Sequence, residues 1–570
     1  MPASKAEAGP AAEAAAVAAA AADAAARRVV AARALHDAAE AGDAGGVEAA
    51  LAAGANVNSA PRGGGRTPLF VAARNGRDAV VGRLLAAGAA VDQAGRRSKT
   101  PLYIAAQNGH EAVAGQLLAV GAALAGRCRT VPLAIAAARG HEAVLGRLLE
   151  AGAAVDQAVD NGETALWIAA RWGREAVVGR LLAAGAAVDQ AANNGKTPLW
   201  IAAESGSEAT VGRLLAAGAM VNQASTGRCD NGRTPLNIAV WRGVNNGRAA
   251  VVGRLLAAGA AVDQAADDGK TPLYLAAQNG YEAVVGQLLA AGAAVDHAGM
   301  PAPAAAPLMA VARPAAAPAY LAPRRGYDGK TPLYIAACHG YEALVARLLE
   351  AGATVNHVAS NGQTPLFAAA QCGREAVVGR LLAAGAAMDQ VASNGETPLF
   401  AAAQGGREAV VGRLIEAGAA VDQPESRFGR TPLFVAAQEG RHAIWGHDVV
   451  VGRLLAAGAA VDQAASNGQT PLSVAEVQDH AAIMAMLRAA PPCLPLAVPA
   501  PEDAEQARSG CGGGATSSSA LCGAGGAAAT ATPAAAAAVV PTALAAPGGA
   551  GCGGVTGGSS SSDDDDDGEQ

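Results

Sequence analysis

A phrase close to Gly-x-Thr-Pro-Leu-aromatic-x-Ala-Ala-x-x-Gly-x-Glu-Ala-Val-Val-Gly-Arg-Leu-Leu-Ala-Ala-Gly-Ala-Ala-Val-Asp returns along this chain, usually every 33 residues. A unit of that size cannot bury its own apolar face, so successive units must stack and share one continuous core. Thr-Pro opens the phrase at Thr67, Thr100, Thr197, Thr234, Thr271, Thr331, Thr364, Thr397, Thr431 and Thr470. Degenerate copies begin at Thr130 and Thr164, and a half-matching copy, ALHDAAEAGD, begins near Ala34, which makes thirteen units. The repeat overrides the several globular domains that 570 residues would otherwise suggest. The expected fold is an all-α repeat solenoid of helix-turn-helix units.

The local chemistry of one unit supports that reading. Thr67 offers an N-cap oxygen, and Pro68 sits at the first helical position, where its missing N–H costs nothing. Leu69, Ala72 and Ala73 share one face, with alanines small enough for neighbouring helices to approach closely. Gly76 ends this first helix. Acidic Asp78 then opens a second, which is expected to bury Val80, Val81, Leu84 and Leu85 before Gly88 closes it as a left-handed cap. Val91 leads into a turn, and Asn161-Gly162, Asn194-Gly195 and Asn361-Gly362 mark turn tips. Aromatics make up only 3% of the chain, so stability must come from helix propensity and many small interfaces.

Thr-Pro-Leu joined to the Gly-Ala…Val-Asp ending resembles the ankyrin repeat, over roughly residues 34–490. The resemblance implies short inner helices, longer outer helices and finger-like β-turns in a curved array. It also implies binding of other proteins through the fingers and the inner-helix face. Five segments are expected: an Ala-rich N-terminus (1–33), repeats (34–299), a Pro/Ala-rich insertion (300–325), repeats again (326–490), and a disordered Gly/Ala/Ser tail with an acidic end (491–570). Six prolines in 300–325 favour an extended loop extruded from a continuous stack. Smaller insertions around Ser225–Cys229, Val244–Gly247 and Ile444–Asp448 fall in turns.

Several positions depart from the family pattern. Where His usually follows Thr-Pro-Leu, this chain has Phe70, Tyr103, Trp167, Trp200, Tyr274, Tyr334, Phe367, Phe400 and Phe434. Those rings either form a ladder offered to a ligand or pack between neighbouring units in the space that alanine leaves. Tryptophan concentrates in three consecutive units as Trp167, Trp172, Trp200 and Trp241, with Arg171 and Arg242 alongside. Trp and Arg are over-represented at binding hot spots, so these six residues are the candidate partner site; incidental surface tryptophan is the alternative. The residue before the repeat's Thr is basic at Arg66, Lys99, Arg129, Lys196, Arg233, Lys270, Lys330 and Arg430. That row is either a comb for an acidic partner or solvated charge. A second row, Arg83, Arg147, Arg180, Arg213, Arg254, Arg347, Arg380, Arg413 and Arg453, reads as the solvated face of the second helix.

Other function classes find little support. The net charge of −7 comes from the tail, which alone carries −8, so no pervasive basic field recommends nucleic acid. Eight cysteines without a Cys-x-x-Cys pair read as reduced thiols, and no cofactor or metal site is expected. Gly-Lys-Thr at 195–197, 269–271 and 329–331 lacks the upstream glycine of a phosphate-binding loop. His110-Glu111 and His141-Glu142 lack the second histidine of a zinc protease. No apolar run reaches membrane-spanning length. The expectation is a monomeric, intracellular protein, cytoplasmic with a nuclear location left open. It would be a non-catalytic scaffold or adaptor that binds proteins and neither nucleic acid nor membrane. The alternative is a regulatory or substrate-recruiting subunit for an enzyme on another chain.

Overall fold

The computed structural model describes residues 10–61, 65–95, 98–125, 131–227, 232–243, 248–297, 329–440 and 447–490. They belong to one compact unit, Met1–Pro495. The insertion 300–325, the tail 491–570, residues 244–247, Arg129 and Thr130 lie outside the described residues.

The described residues hold twenty-six helices in alternating first and second positions. The first helices begin with α1 (Pro10–Ala41), α3 (Pro68–Arg74), α5 (Pro101–Asn108), α7 (Pro132–Arg139), α9 (Ala165–Arg171), α11 (Pro198–Ser205) and α13 (Pro235–Trp241). They continue with α15 (Pro272–Asn279), α17 (Pro332–His339), α19 (Pro365–Gln371), α21 (Pro398–Gln404), α23 (Pro432–Glu439) and α25 (Pro471–Val477). The second helices begin with α2 (Ala44–Ala52), α4 (Asp78–Ala86), α6 (Glu111–Ala119), α8 (Glu142–Glu150), α10 (Glu175–Ala183), α12 (Glu208–Ala216) and α14 (Ala249–Ala257). They end with α16 (Glu282–Ala290), α18 (Glu342–Glu350), α20 (Glu375–Ala383), α22 (Glu408–Glu416), α24 (His447–Ala456) and α26 (Ala481–Ala489). None of the described helices is long and apolar enough to cross a membrane. Helix α1 runs without a break through residue 33, and its buried positions begin at Ala31.

Each unit folds by the local rules its sequence announces. The Thr67 hydroxyl accepts from Phe70 N at 3.2 Å, ahead of Pro68. After α4 the chain closes with Gly88 N donating to Leu85 O and Ala89 N to Leu84 O, both at 3.0 Å, with Gly88 at φ 79°. This is the paired C-terminal closure that a left-handed glycine permits. Leu69, Ala72, Ala73, Val80, Val81 and Leu84 are fully buried, whereas Leu85 is only partly covered. The small first-helix alanines form the contact between successive first helices, such as α3 on α5 and α5 on α7.

Three sets of polar bonds tie unit to unit. The Val-Asp ending explains the first: Asp156 Oδ1 accepts from Ala187 N, Asp189 Oδ1 from Met220 N and Asp389 Oδ1 from Ala420 N, each at 2.9 Å. The turns supply the second, with Asn193 N donating to Asn161 O at 2.9 Å and Ser393 N to Asn361 O at 3.0 Å. The third corrects the expectation of a merely solvated arginine row. Each arginine reaches back to a glutamate of the preceding second helix, for example Arg180 Nε to Glu142 Oε1 and Arg380 Nε to Glu342 Oε1, both 2.7 Å. Arg147–Glu111, Arg213–Glu175, Arg254–Glu208, Arg347–Glu282, Arg413–Glu375 and Arg453–Glu408 repeat the rung, and Arg83 pairs with Glu48. These pairs are about half exposed, so each contributes on the order of 0–1 kcal/mol.

The breaks in this ladder are matched on both sides. From α4 onward, a second helix that opens with glutamate is followed by one carrying arginine. Where that position holds Asp78, Ala249 or Asp448, the second residue of α24, the following helix carries Gln116, Gln287 or Met486. The rungs also cross the long insertion. Arg347 meets Glu282 at 3.1 Å, Thr354 N donates to Asp296 Oδ1 at 3.0 Å, and α17 packs on α15.

Candidate partner-binding surface

The aromatic position after Thr-Pro-Leu faces inward. Phe367 and Phe400 are fully buried and Phe70, Tyr103, Tyr334 and Phe434 nearly so, while Tyr274 is half-buried. The ladder of rings offered to a ligand is therefore corrected: these rings pack between units. The correction removes two candidate site residues. Trp167 is 2% exposed and Trp200 fully buried. Their indole N–H groups donate across the unit boundary, Trp167 Nε1 to Lys196 O at 3.0 Å and Trp200 Nε1 to Arg233 O at 2.8 Å. In the next unit Asn237 occupies this position and donates Nδ2 to Gln264 O at 3.1 Å. A buried polar tip needs such a partner, so these side chains are inter-unit ties.

The basic row before the Thr is also engaged. Lys196 Nζ sits 4.0 Å from the centre of the Trp200 ring, and Lys99, Lys270 and Lys330 lie 5.5–5.7 Å over Tyr103, Tyr274 and Tyr334. Arg233 is buried and bonds Asp268 Oδ2 at 3.1 Å. Neither an open comb nor freely solvated charge describes these lysines, which roof the rings as cation–π partners, as Arg233 does over Trp241 and Arg430 over Phe428.

What remains exposed lies at the C-terminal ends of α9, α11 and α13, three first helices side by side. Trp172 follows α9 and is 54% exposed, with the Arg171 guanidinium 5.8 Å from its ring. Trp241 ends α13, half-buried, with Arg233 at 3.6 Å and Arg242 at 4.8 Å from its ring centre. Between them Glu204 of α11 approaches Arg242 at 3.5 Å and Lys196 at 3.8 Å. Burial pulls the nearby Arg248 guanidinium below its ordinary value, Glu204 opposes this, and Arg242 adds to the fall. The surface thus offers one open indole, one arginine-held indole and a single carboxylate, Glu204, among the cations Lys196, Arg242 and Arg248. Arg171 lies beside Trp172 and Arg242 beside Trp241, the two pairs standing two units apart, while Trp167 and Trp200 are left out.

Sequence reading passed over a second exposed ring. The turn before α23 carries Phe428, 46% exposed, with Arg427 and Arg430 guanidinium groups each 5.0 Å from its ring. Buried Glu425 shapes this turn by accepting from Arg427 N at 2.6 Å, Phe428 N at 2.8 Å and Arg430 Nε at 3.2 Å. Burial raises the Glu425 pKa, but those hydrogen bonds outweigh it and hold the carboxyl below the ordinary carboxylate range. Its contribution to stability is therefore fully present above about pH 4.3 and is lost as pH falls through the lower folded value. Glu425→Gln should have an unfolding midpoint below wild type at pH 7, with the gap closing below about pH 4. A gap that stays constant from pH 7 to pH 3 would show that the carboxylate does not order this turn.

His110 and His141, whose following glutamates suggested a zinc motif, put their Nε2 atoms 2.9 Å from Arg74 O and 3.0 Å from Gln107 O. They cover the carbonyl end of the preceding first helix. Among the described residues, His36, Asp37 and Glu40 bring potential ligand atoms within 4.8 Å of one another. Glu40 already approaches Arg74 at 3.5 Å, and a partly exposed trio on one helix is a weak ligand set.

Comparison with known proteins agrees with the geometry. The family model described as ankyrin repeats (3 copies) matches residues 35–128, 123–191, 176–246, 224–299, 309–392 and 374–445. No curated protein matches the chain. With that model covering most of its length, and threonine cap, glycine closure and stacked turn recurring from unit to unit, the chain belongs to the ankyrin-repeat family.

Proposed function

We propose that the chain is a non-catalytic, monomeric scaffold that seats a partner protein on the ends of α9, α11 and α13. Ankyrin repeats are protein-interaction modules, and most of the described units here are built from the same scaffold residues. Discrimination must therefore come from positions where the units differ. The observation that carries the reading is Trp172, a large ring left 54% exposed beside Arg171, one unit away from Glu204 and two from the Trp241–Arg242 pair. An indole on a rigid helix end loses little conformational entropy when it is covered.

Affinity capture of wild type beside the Trp172→Ala/Trp241→Ala chain tests this, with Val120→Ala as a control at another exposed apolar position. Partners seated here should be retained at least about tenfold less by the double variant and equally by the control. Identical partner lists from all three baits would remove the proposed seat. A kinase, phosphatase or ligase that co-purifies in a tryptophan-dependent way would instead identify the array as a recruiting subunit.

A further inference from the structure

The first-helix ends of neighbouring units meet in a diagonal register. Asn108 Nδ2 donates to Arg74 O at 2.8 Å and His141 Nε2 meets Gln107 O at 3.0 Å, each pair separated by 34 residues. Cys338, the next-to-last residue of α17, and Cys372, which directly follows α19, stand at this same separation. Their sulfurs lie 3.2 Å apart. Both are half-buried, so small molecules can reach them, and they are the free cysteines among the described residues. An independent bond holds the two backbones in place: Arg374 Nε donates to Cys338 O at 3.1 Å, just beyond Cys372.

We propose that Cys338 and Cys372 form a reversible thiol–disulfide staple between adjacent units, closed by exchange with a low-molecular-weight disulfide. One cysteine thiolate attacks a sulfur of the external disulfide, whose S–S bond breaks and releases one small thiol. The second cysteine then attacks the protein sulfur of the mixed disulfide and expels the other small thiol. The two S–H protons pass to the leaving thiols, two protein thiols are oxidised to one disulfide, and one external disulfide is reduced. Reaching a bond of about 2.05 Å requires the sulfurs to close by roughly 1.2 Å, which side-chain rotation at two half-buried positions supplies. Burial, together with the hydrogen bond to Cys372, pushes the Cys338 thiol up to about 11. It is therefore protonated at neutral pH, and closure quickens as the solution becomes alkaline.

By position within the helix, Cys338 matches Arg171 and Cys372 matches Trp172. The staple thus lies on the row of variable positions and would fix the spacing of two first-helix ends on that row. It rests on the sulfur geometry alone and stands whether or not the tryptophan surface binds a partner.

The test uses the full chain, reduced and then incubated with oxidised glutathione at pH 8.5, blocked and digested with trypsin. The expected product joins peptide 331–347 to peptide 348–374 and exceeds any link to the other six cysteines. Its unfolding midpoint should rise by roughly 2–8 °C, return on treatment with dithiothreitol, and stay unchanged in the Cys338→Ser/Cys372→Ser chain. Separate glutathione adducts on Cys338 and Cys372 without the cross-linked peptide would overturn the proposal. Peptide mapping of the wild-type chain gives this answer even if a serine variant folds poorly.

Discussion

Trp200→Ala should cost about 3–5 kcal/mol and divide the unfolding of the stack into two steps. The ring is fully buried between α11 and its neighbours, its N–H ties the next unit through Arg233 O at 2.8 Å, and Lys196 lies 4.0 Å over its face. Truncation removes packing and the indole's tie to the next unit, although Arg233 O keeps the bond that it accepts from Ser225 N at 3.0 Å. In a stack each unit is held chiefly by its two neighbours, so a weakened boundary in the middle lets the two sides unfold separately. Trp200→Phe keeps most of the ring and loses the hydrogen bond, for a loss of about 1 kcal/mol. Urea denaturation followed by circular dichroism distinguishes these outcomes. Equal, small losses for both variants would mean that Trp200 is not a tie between units.

A second large effect is expected at Gly362, in the turn stacked on the following one. Its φ of 79° is left-handed, and an added Cβ would run into the backbone N of Ser393, with Ala392 C at 2.8 Å. That same N–H donates to Asn361 O at 3.0 Å, so the new methyl group would displace an inter-unit bond. Gly362→Ala should therefore cost roughly 2–4 kcal/mol, combining left-handed strain with overpacking. Gly88 has the same φ of 79° but open space where its Cβ would lie. Gly88→Ala should then cost only about 1 kcal/mol. Equal midpoint shifts for the two variants in urea titrations would refute the stacked-turn explanation.

These contrasts show what a single sequence discloses. Helix starts, caps and glycine closures depend on residues a few positions apart, and the roles read for Thr67, Pro68, Asp78 and Gly88 match the structure. Relations between units join residues 27 to 65 positions apart, beyond the reach of any local pattern. Arg180 looks solvated in its own helix because its glutamate, Glu142, lies one unit back. Lys196 stands only four positions before Trp200 in the same unit, yet spacing alone does not show that its ammonium folds over the ring. Trp167 and Trp200 were grouped with Trp172 by composition, although one residue type serves as an inter-unit tie in two cases and as an exposed ring in the third. The period itself held usable signals: a donor-bearing ring opposite the next unit's carbonyl, and two cysteines separated by one repeat plus one residue. Phe428 lies outside the turn-tip signal because Phe428-Gly429 stands where other turns have Asn-Gly, as Asn194-Gly195 does.

The matched breaks in the arginine–glutamate ladder bear on how such a chain can change length. A unit that opens with glutamate and carries arginine presents the same two half-rungs at its ends as the next such unit. Deleting or duplicating the unit of α10 or α12 would leave every neighbouring carboxylate still facing a guanidinium. Removing the unit of α14 would instead set Glu208 against Gln287 and leave the carboxylate without its cation. In this row of helices, the α10 and α12 units are interchangeable spacers, whereas α14 and α16 form a joint that must be inherited as a pair.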